Sequence, residues 1–230
     1  MHDANIGRLT AAARLLNPLL DELVFVGGCA TGLLITDPAA PSVRPTFDVD
    51  AIVEIASYSE YVEFSGRLRG VGLSEDTAEG APICRWIRGP VILDVMPLDE
   101  KILGFSNRWY RLAMRESNSV QLEPSLQIRS ITAPVFLATK LDAFNGRGKG
   151  DYVASHDLED AMSVIDGRPS IVEEVRSASE ELRAYLAAEW HVLLRNGRFI
   201  DAIPAHLPPD ASSQARVPLL VQRIEELTHL

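Results

Sequence analysis

The spacing of hydrophobic positions changes its period near residue 131. Before that point, apolar runs of strand length alternate with helical spacing, which predicts strands at residues 23–26 and 46–53 and helices at residues 5–20 and 57–70. Arg88-Gly89-Pro90 has the composition of a hairpin turn between two further strands, at residues 83–87 and 91–96. A last pair of strands is predicted at residues 119–122 and 127–131.

From Thr132 onward the spacing is helical throughout. It predicts four helices, at residues 132–144, 156–165, 170–195 and 216–228. We therefore expect an α/β (α+β) fold with a mixed sheet and flanking helices in residues 1–131, followed by a helical region in residues 132–230 that completes the functional cleft.

Composition narrows the class of protein. The 230 residues carry a formal net charge of −10, with a pI near 5.0, so we expect no broad basic surface for duplex DNA. No apolar run has the length of a membrane span, and the N-terminus lacks the pattern of a secretory signal. Cys29 and Cys84 are predicted to be buried, reduced thiols, as is usual in the cytoplasm. These features predict a cytoplasmic protein.

A diglycine turn follows the first predicted strand. Gly27 and Gly28 separate the apolar residues 23–26 from a predicted helix that begins near Ala30. Glycines at a strand-to-helix turn leave backbone N–H groups accessible beside the positive end of the helix dipole, where a phosphate group can bind.

Three aspartates suggest a metal site. Asp48 and Asp50 are two residues apart in a predicted strand and so share one face, and Asp94 interrupts the apolar strand 91–96. If the two strands are neighbours, the carboxylates converge and need a cation, and oxygen ligands favour Mg²⁺ or Mn²⁺. Any one of these acids alone would more commonly cap a turn or lie at a solvated strand edge. The combination with the diglycine turn favours chemistry on a nucleotide.

These residues resemble a known family. Gly27-Gly28, the segment Arg44-Pro45-Thr46-Phe47-Asp48-Val49-Asp50 and the isolated Asp94 are similar to motifs of the DNA polymerase β-type nucleotidyltransferase superfamily. In the C-terminal half, the segments at 140–144, 147–150 and 156–160 resemble later motifs of the AbiEii-type nucleotidyltransferases. That group includes toxins of toxin–antitoxin systems, among them MenT-like enzymes that modify the acceptor end of tRNA. The resemblance covers about residues 24–165.

The resemblance implies a nucleotidyltransferase fold and a role for each matching residue. Asp48 and Asp50 would bind the metal ions, and Asp94 would be the third ligand or the base. Gly27 and Gly28 would contact the triphosphate of an NTP. Many superfamily members have a serine after the first glycine; here the nearest hydroxyl belongs to Thr31.

The later motifs contribute Lys140, which would neutralise phosphate, and Asp157, the family's later acid. From spacing alone, Lys140 lies beside an apolar helical face and would more commonly extend to solvent. Arg147 and Lys149 lie in a predicted mobile loop at 145–150, where they could clamp phosphate or RNA or simply be solvated. Asp157 and Asp160 share a helix face and could orient Lys140 or Arg147. Alternatively, Asp157 favours the helix N-terminus and Asp160 is expected at the surface.

Three hypotheses for function follow. The first is metal-dependent transfer of a nucleoside monophosphate from an NTP to a hydroxyl, as on the tRNA 3′ end, by a toxin with a cognate antitoxin protein. The second keeps the reaction but uses a small acceptor such as an aminoglycoside, which an acidic cleft would attract. The third is a catalytically silent nucleotide-binding protein of the same fold, of which the loss of an acid would be the expected mark.

Overall fold

The computed structural model describes residues 4–148 and 150–230, and Lys149 therefore lies outside the described residues. The chain forms two compact units. The first comprises the described residues up to Ala30 together with Pro45–Thr132, and the second comprises Thr31–Arg44 together with the described part of Ala133–Leu230. Among the described helices, none combines the length and the apolar character that crossing a membrane requires.

The first unit contains a seven-stranded mixed sheet with the order β3-β4-β5-β2-β1-β7-β6. Its strands are β1 Leu23–Val26, β2 Val49–Val53, β3 Ser74–Glu75, β4 Arg85–Arg88, β5 Val91–Pro97, β6 Asn118–Glu123 and β7 Leu126–Ser130. Strand β2 is parallel to β5 and antiparallel to β1, while β1 is parallel to β7. The mixed α/β fold expected from the sequence is confirmed.

The central strands are where the sequence pattern is clearest. All four residues of β1 are buried, as a short apolar run bounded by glycine predicts. The second strand is shorter than expected: it begins at Val49, so Asp48 lies just before it and only Asp50 lies within it. The hairpin β4–β5 turns at Gly89 and Pro90 as predicted, with Arg88 paired to Val91.

Five helices have their starting residues in this unit. They are α1 Ala4–Leu15, α2 Gly27–Leu34, α3 Tyr58–Gly70, α4 Glu100–Leu103 and α5 Tyr110–Arg115. Helix α1 is shorter than predicted because Pro18 falls in a separate 3₁₀ helix, Asn17–Glu22. Helix α3 is capped by Ser57, whose side chain accepts a hydrogen bond from the Glu60 amide. Helix α2 begins at the diglycine itself rather than after it.

The described part of the second unit is helical apart from its connections. Its helices are α6 Ala133–Arg147, α7 His156–Gly167, α8 Ile171–Arg176, α9 Glu180–Leu194, α10 Gly197–Ala202, α11 Ala211–Gln214 and α12 Val217–Leu227, with a 3₁₀ helix at Ile203–His206. Large fully buried side chains, among them Phe136, Trp190 and Phe199, form its core. Helix α6 continues to Arg147, so the predicted loop at 145–150 is helical in its first half.

The single long helix predicted at residues 170–195 is wrong. The chain forms α8 and α9 instead, and the break lies at residues 177–179. Ser179 is the N-cap of α9 and accepts a hydrogen bond from the Leu182 amide, whereas Ser170 makes no capping bond. Glutamates follow both serines in the first helical turn, but Ser170 has helical backbone angles, with ψ of −1°, whereas Ser179 has a ψ of 148°, outside the helical region.

The segment Thr31–Arg44 clusters with the second unit although the predicted boundary placed it in residues 1–131. The amides of Thr36 and Asp37 donate to the Gly167 carbonyl oxygen at 2.9 Å. Arg216 donates from Nη2 to Asp37 at 2.6 Å and from Nε to Asp166 at 2.8 Å. These contacts tie the segment to α7 and to the residue before α12.

Candidate active site

The diglycine turn and Asp50 form one packed arrangement in the first unit. Val26 pairs with Asp50 across β1 and β2, and Gly27 follows at once in the left-handed backbone region, with φ of +68°. A Cβ on Gly27 would overlap the Asp50 carboxylate and come within 2.8 Å of Asp50 Cβ. Only glycine meets both conditions, and the Asp50 carboxylate therefore lies against the N-terminus of α2, where negative charge is favoured.

Strand pairing brings Asp50 and Asp94 side by side. They are partners in the parallel pairing of β2 with β5, so their side chains leave the same face of the sheet. Asp94 is buried within β5. Asp48 precedes β2 and accepts a hydrogen bond from Thr46 Oγ1 at 2.8 Å through its Oδ1. The register sets Asp50 beside Asp94, and Asp48 lies two residues before Asp50 on the segment that leads into β2.

A residue that the sequence analysis did not single out joins two of the acids. Arg85 donates from Nε to Asp94 Oδ1 and from Nη2 to Asp94 Oδ2, each at 2.8 Å. The same Nη2 donates to Asp48 Oδ2 at 2.8 Å. The hydrogen bonds that Arg85 donates to Asp94, together with the negative charge of Asp94, raise the pKa of Arg85 above its ordinary value. Arg85 is therefore a permanent cation between two carboxylates. Together, Arg85, Asp48 and Asp94 have a formal charge of −1.

The carboxylate oxygens of Asp48 and Asp94 are already engaged by other side chains. Both oxygens of Asp94 and both of Asp48 have hydrogen-bond partners in Arg85 or Thr46. Within residues 4–148 and 150–230, no three His, Cys, Asp or Glu side chains are arranged as ligands of one ion. The donor chemistry suits Mg²⁺ or Mn²⁺, but Arg85 already donates to three of these oxygens. Metal binding by Asp48, Asp50 and Asp94 stays a prediction.

The two cysteines beside the acids are packed thiols, as expected. Cys84 is buried and unbridged, and burial, with a smaller effect of the Asp94 charge, raises its pKa to about 12. Cys29 is buried in α2 and its thiol donates to the Asp48 carbonyl oxygen at 3.0 Å. At neutral pH the Cys84 thiol stays protonated, so it is not a nucleophile.

The later motifs form a second cluster, in the second unit. Lys140 is only 8% exposed and donates to Asp160 Oδ2 at 2.6 Å and to Asp157 Oδ1 at 3.3 Å. The expectation from spacing that Lys140 extends to solvent is therefore wrong, and so is the surface position expected for Asp160, which is 2% exposed. The two acids lie three residues apart on α7, a spacing that lets both reach one ammonium.

Two arginines complete the second cluster. Arg147, at the end of α6, donates from Nε and Nη2 to the two oxygens of Asp157 at 2.9 and 2.8 Å. Arg44 pairs with Glu159 at 3.3 Å and with Asp160 at 3.4 Å. Burial acts to raise the pKa of Asp157, but the hydrogen bonds from Arg147 and the charges of both cations outweigh it and lower the pKa. Lys140 and Arg147 thus bind acids of this cluster, and phosphate binding by either stays a prediction.

Thr31 also belongs to the second unit. It is buried in α2, and its hydroxyl has no hydrogen-bond partner among the described residues. A buried hydroxyl without a partner is uncommon, and the contact of Thr31 with a ligand stays a prediction. Lys149, the other predicted phosphate ligand, lies outside the described residues.

The mixed sheet with its flanking helices is an α/β fold that the chain shares with solved structures of other proteins. JHP933 of Helicobacter pylori is similar over 100% of this chain and 94% of its own, at 11% identity and a TM-score of 0.51. A second H. pylori protein, described as a candidate nucleotidyltransferase, is similar over 100% of this chain and 96% of its own, at 10% identity and a TM-score of 0.50.

A third structure, an antigenic nucleotidyltransferase-like protein from Paracoccidioides brasiliensis, covers 86% of this chain and 91% of its own, at 18% identity and a TM-score of 0.49. No family model and no curated protein sequence matches the chain. At these identities the likeness of the two H. pylori structures establishes the fold.

Proposed function

We propose that this protein is a nucleotidyltransferase that moves a nucleoside monophosphate from an NTP to an acceptor hydroxyl. The observation that carries the proposal is the parallel pairing of β2 with β5, which sets Asp50 beside Asp94 on the same face and next to Gly27. A carboxylate cluster at the N-terminus of a helix is a place where a polyphosphate and its counter-ions can be positioned.

In the proposed reaction the acceptor oxygen forms a bond to the α-phosphorus of the NTP. The bond between that phosphorus and the oxygen of the β-phosphate breaks, pyrophosphate leaves, and the hydroxyl proton passes to a carboxylate or to water. The contribution of the protein is mainly orientation and fixed charge, which is typical of phosphoryl transfer. A requirement for Mg²⁺ or Mn²⁺ is part of the proposal, supported by the three aspartates on neighbouring segments of the sheet.

The finer assignment is an AbiEii-type, MenT-like toxin in the cytoplasm that acts on the tRNA 3′ end and is neutralised by an antitoxin. It is supported by the order and spacing of Lys140, Arg147 and Asp157 after the aspartates, and by the contacts that link these three residues in one cluster. Ion pairs hold the motif residues together, because Lys140 and Arg147 both lie at hydrogen-bonding distance from Asp157.

Two alternatives have specific support. The net charge of −10 favours a cationic small acceptor such as an aminoglycoside. The contacts of Arg85 with Asp48 and Asp94 favour a catalytically silent protein, because they use the oxygens that a metal would need.

Incubation with each α-labelled NTP, Mg²⁺ and either total tRNA or an aminoglycoside separates the three. We expect label on tRNA; label on the drug alone supports the second function, and nucleotide binding without transfer supports the third. Asp48→Ala and Asp50→Ala should abolish transfer while the fold is retained by circular dichroism. Asp201→Ala, at an exposed position of α10, is the matched control and should retain activity. Full activity in both site variants would refute the assignment.

A further inference from the structure

We propose that Arg85 is a built-in counter-ion that holds Asp48 and Asp94 together, and that a divalent cation enters this site only by displacing the Arg85 guanidinium. The inference rests on the proposed function through the metal that the acids are predicted to bind. The three acids imply a metal ion, whereas Arg85 of the same sheet donates hydrogen bonds to two of them.

The position of Arg85 is set by the sheet rather than by a flexible loop. Arg85 and Asp94 are direct partners in the antiparallel pairing of β4 with β5, so both side chains leave the same face. The guanidinium binds Asp94 through two parallel hydrogen bonds and reaches Asp48 with a third, all at 2.8 Å. A bidentate arginine–carboxylate pair of this kind is among the stronger ion pairs in proteins.

A metal ion and the guanidinium cannot occupy this position together. Mg²⁺ binds carboxylate oxygens at about 2.0–2.1 Å and would compete for the oxygens that Arg85 already uses. Two cations sharing the same carboxylates would also repel each other at short range. Binding of the ion therefore has to include the departure of Arg85, and its cost lowers the apparent affinity of the protein for the metal.

The two sides of the pair differ in their freedom to move. The Arg85 side chain is 22% exposed, while that of Asp94 is 9% exposed. The long arginine side chain can reach solvent while the acid stays in its strand. Arg88 on the same strand is the natural comparison, because its guanidinium donates to the Val71 carbonyl oxygen rather than to these acids.

Binding of Mn²⁺ to the full-length protein, without nucleotide or acceptor, tests the proposal. Free Mn²⁺ is followed by electron paramagnetic resonance in the wild type, Arg85→Gln and Arg88→Gln. We expect Arg85→Gln to bind Mn²⁺ at least ten-fold more tightly than the wild type, and Arg88→Gln to match the wild type. Adding Asp94→Asn to Arg85→Gln should remove the gain, because it deletes a carboxylate at the same position.

A second readout follows stability rather than binding. In EDTA, Arg85→Gln should melt at a lower temperature than the wild type because Asp48 and Asp94 then repel each other. Adding Mn²⁺ should raise the melting temperature of Arg85→Gln by more than it raises that of the wild type. If Arg85→Gln does not fold, Arg85→Lys decides by the same criteria, since an ammonium cannot make the bidentate pair.

Equal Mn²⁺ affinity in the wild type and the Arg85 variant, or no binding to either, overturns the proposal. The labelled-NTP assay keeps the proposed function separate. Tighter Mn²⁺ binding in Arg85→Gln with no nucleotide transfer by the wild type supports the role of Arg85 and removes the transferase. Nucleotide transfer by the wild type, with equal Mn²⁺ affinity in the wild type and Arg85→Gln, supports the transferase and removes the role of Arg85.

Discussion

Replacement of Gly27 by alanine tests the packing of the diglycine turn against Asp50. Gly27 has φ of +68°, and an added Cβ would overlap the Asp50 carboxylate. The left-handed backbone costs a non-glycine residue roughly 1–2 kcal/mol. Forcing an extra carbon into a packed site costs about 1–3 kcal/mol more. We therefore expect Gly27→Ala to lower the free energy of unfolding by roughly 2–5 kcal/mol.

Urea unfolding followed by circular dichroism measures this loss, and thermal melting should show a decrease of roughly 4–20 °C, at about 2–4 °C per kcal/mol for a chain of this size. Gly66→Ala is the matched control. Gly66 lies within α3, and a Cβ there meets nothing within 4 Å, so alanine should be neutral or stabilising by up to about 1 kcal/mol.

A double variant separates the two causes of the loss. Asp50→Ala removes the carboxylate, so Gly27→Ala should cost up to about 1–3 kcal/mol less in that background. The remainder reports the backbone strain together with the 2.8 Å approach to the Cβ that alanine keeps at position 50. A Gly27→Ala protein as stable as the wild type would refute the reasoning. An equal cost in both backgrounds would show that the Asp50 carboxylate does not restrict this position.

Three further predictions concern caps and pH. Ser179→Ala should lower the free energy of unfolding by about 0.5–2 kcal/mol in urea, and Ser170→Ala by less, because only Ser179 caps its helix. Burial lowers the pKa of His206, so the stability it contributes is full above the ordinary histidine pKa of about 6.5 and is lost as pH falls below it; His206→Gln should weaken the fall in stability between pH 7 and 5. The lowered pKa of Asp157 contributes stability that is full above about pH 4 and is lost in stronger acid; Asp157→Asn should cost about 1.5–3 kcal/mol at pH 7 and flatten the acid unfolding curve.

A specific result would contradict each of these three predictions. Equal losses at Ser170 and Ser179 would argue against the break between α8 and α9. If the dependence of stability on pH is unchanged in His206→Gln, protonation of buried His206 has no cost. Its hydrogen bond to the Tyr152 carbonyl oxygen, 2.8 Å long, would then offset the effect of burial. An unchanged acid limb in Asp157→Asn would show that its ion pairs add nothing to stability.

Sequence patterns were sufficient where a local rule determines the structure. The apolar run before Gly27 predicted β1 at its observed bounds, and the Gly89-Pro90 turn predicted the hairpin. The same hairpin contained a signal for Arg85 that was not used. Because Arg88 pairs with Val91, counting three residues back along β4 and three forward along β5 pairs Arg85 with Asp94.

Patterns failed where distant parts of the chain decide. Nothing local to Asp37 indicates a partner in Arg216, which is 179 residues away, so the assignment of residues 31–44 to the second unit could not be predicted. Lys140 was expected at the surface because a lysine beside an apolar face usually extends to water. Its burial depends on Asp157 and Asp160 on another helix, and their pairing with it is a tertiary contact.

Each of the two units combines two separate segments of the chain, and this has a consequence for synthesis and for protein engineering. A fragment that starts at Ala133 would lack the Leu34 carbonyl oxygen, to which Arg168 donates at 2.8 Å. It would also leave buried Asp160 without Arg44, and Arg216 without Asp37. On the ribosome, residues 31–44 emerge early and must wait for the last helix before their own unit can close. Truncation at the apparent α/β-to-helical junction is therefore a poor route to an isolated C-terminal domain, whereas a fusion that carries residues 31–44 ahead of residue 133 restores the missing contacts.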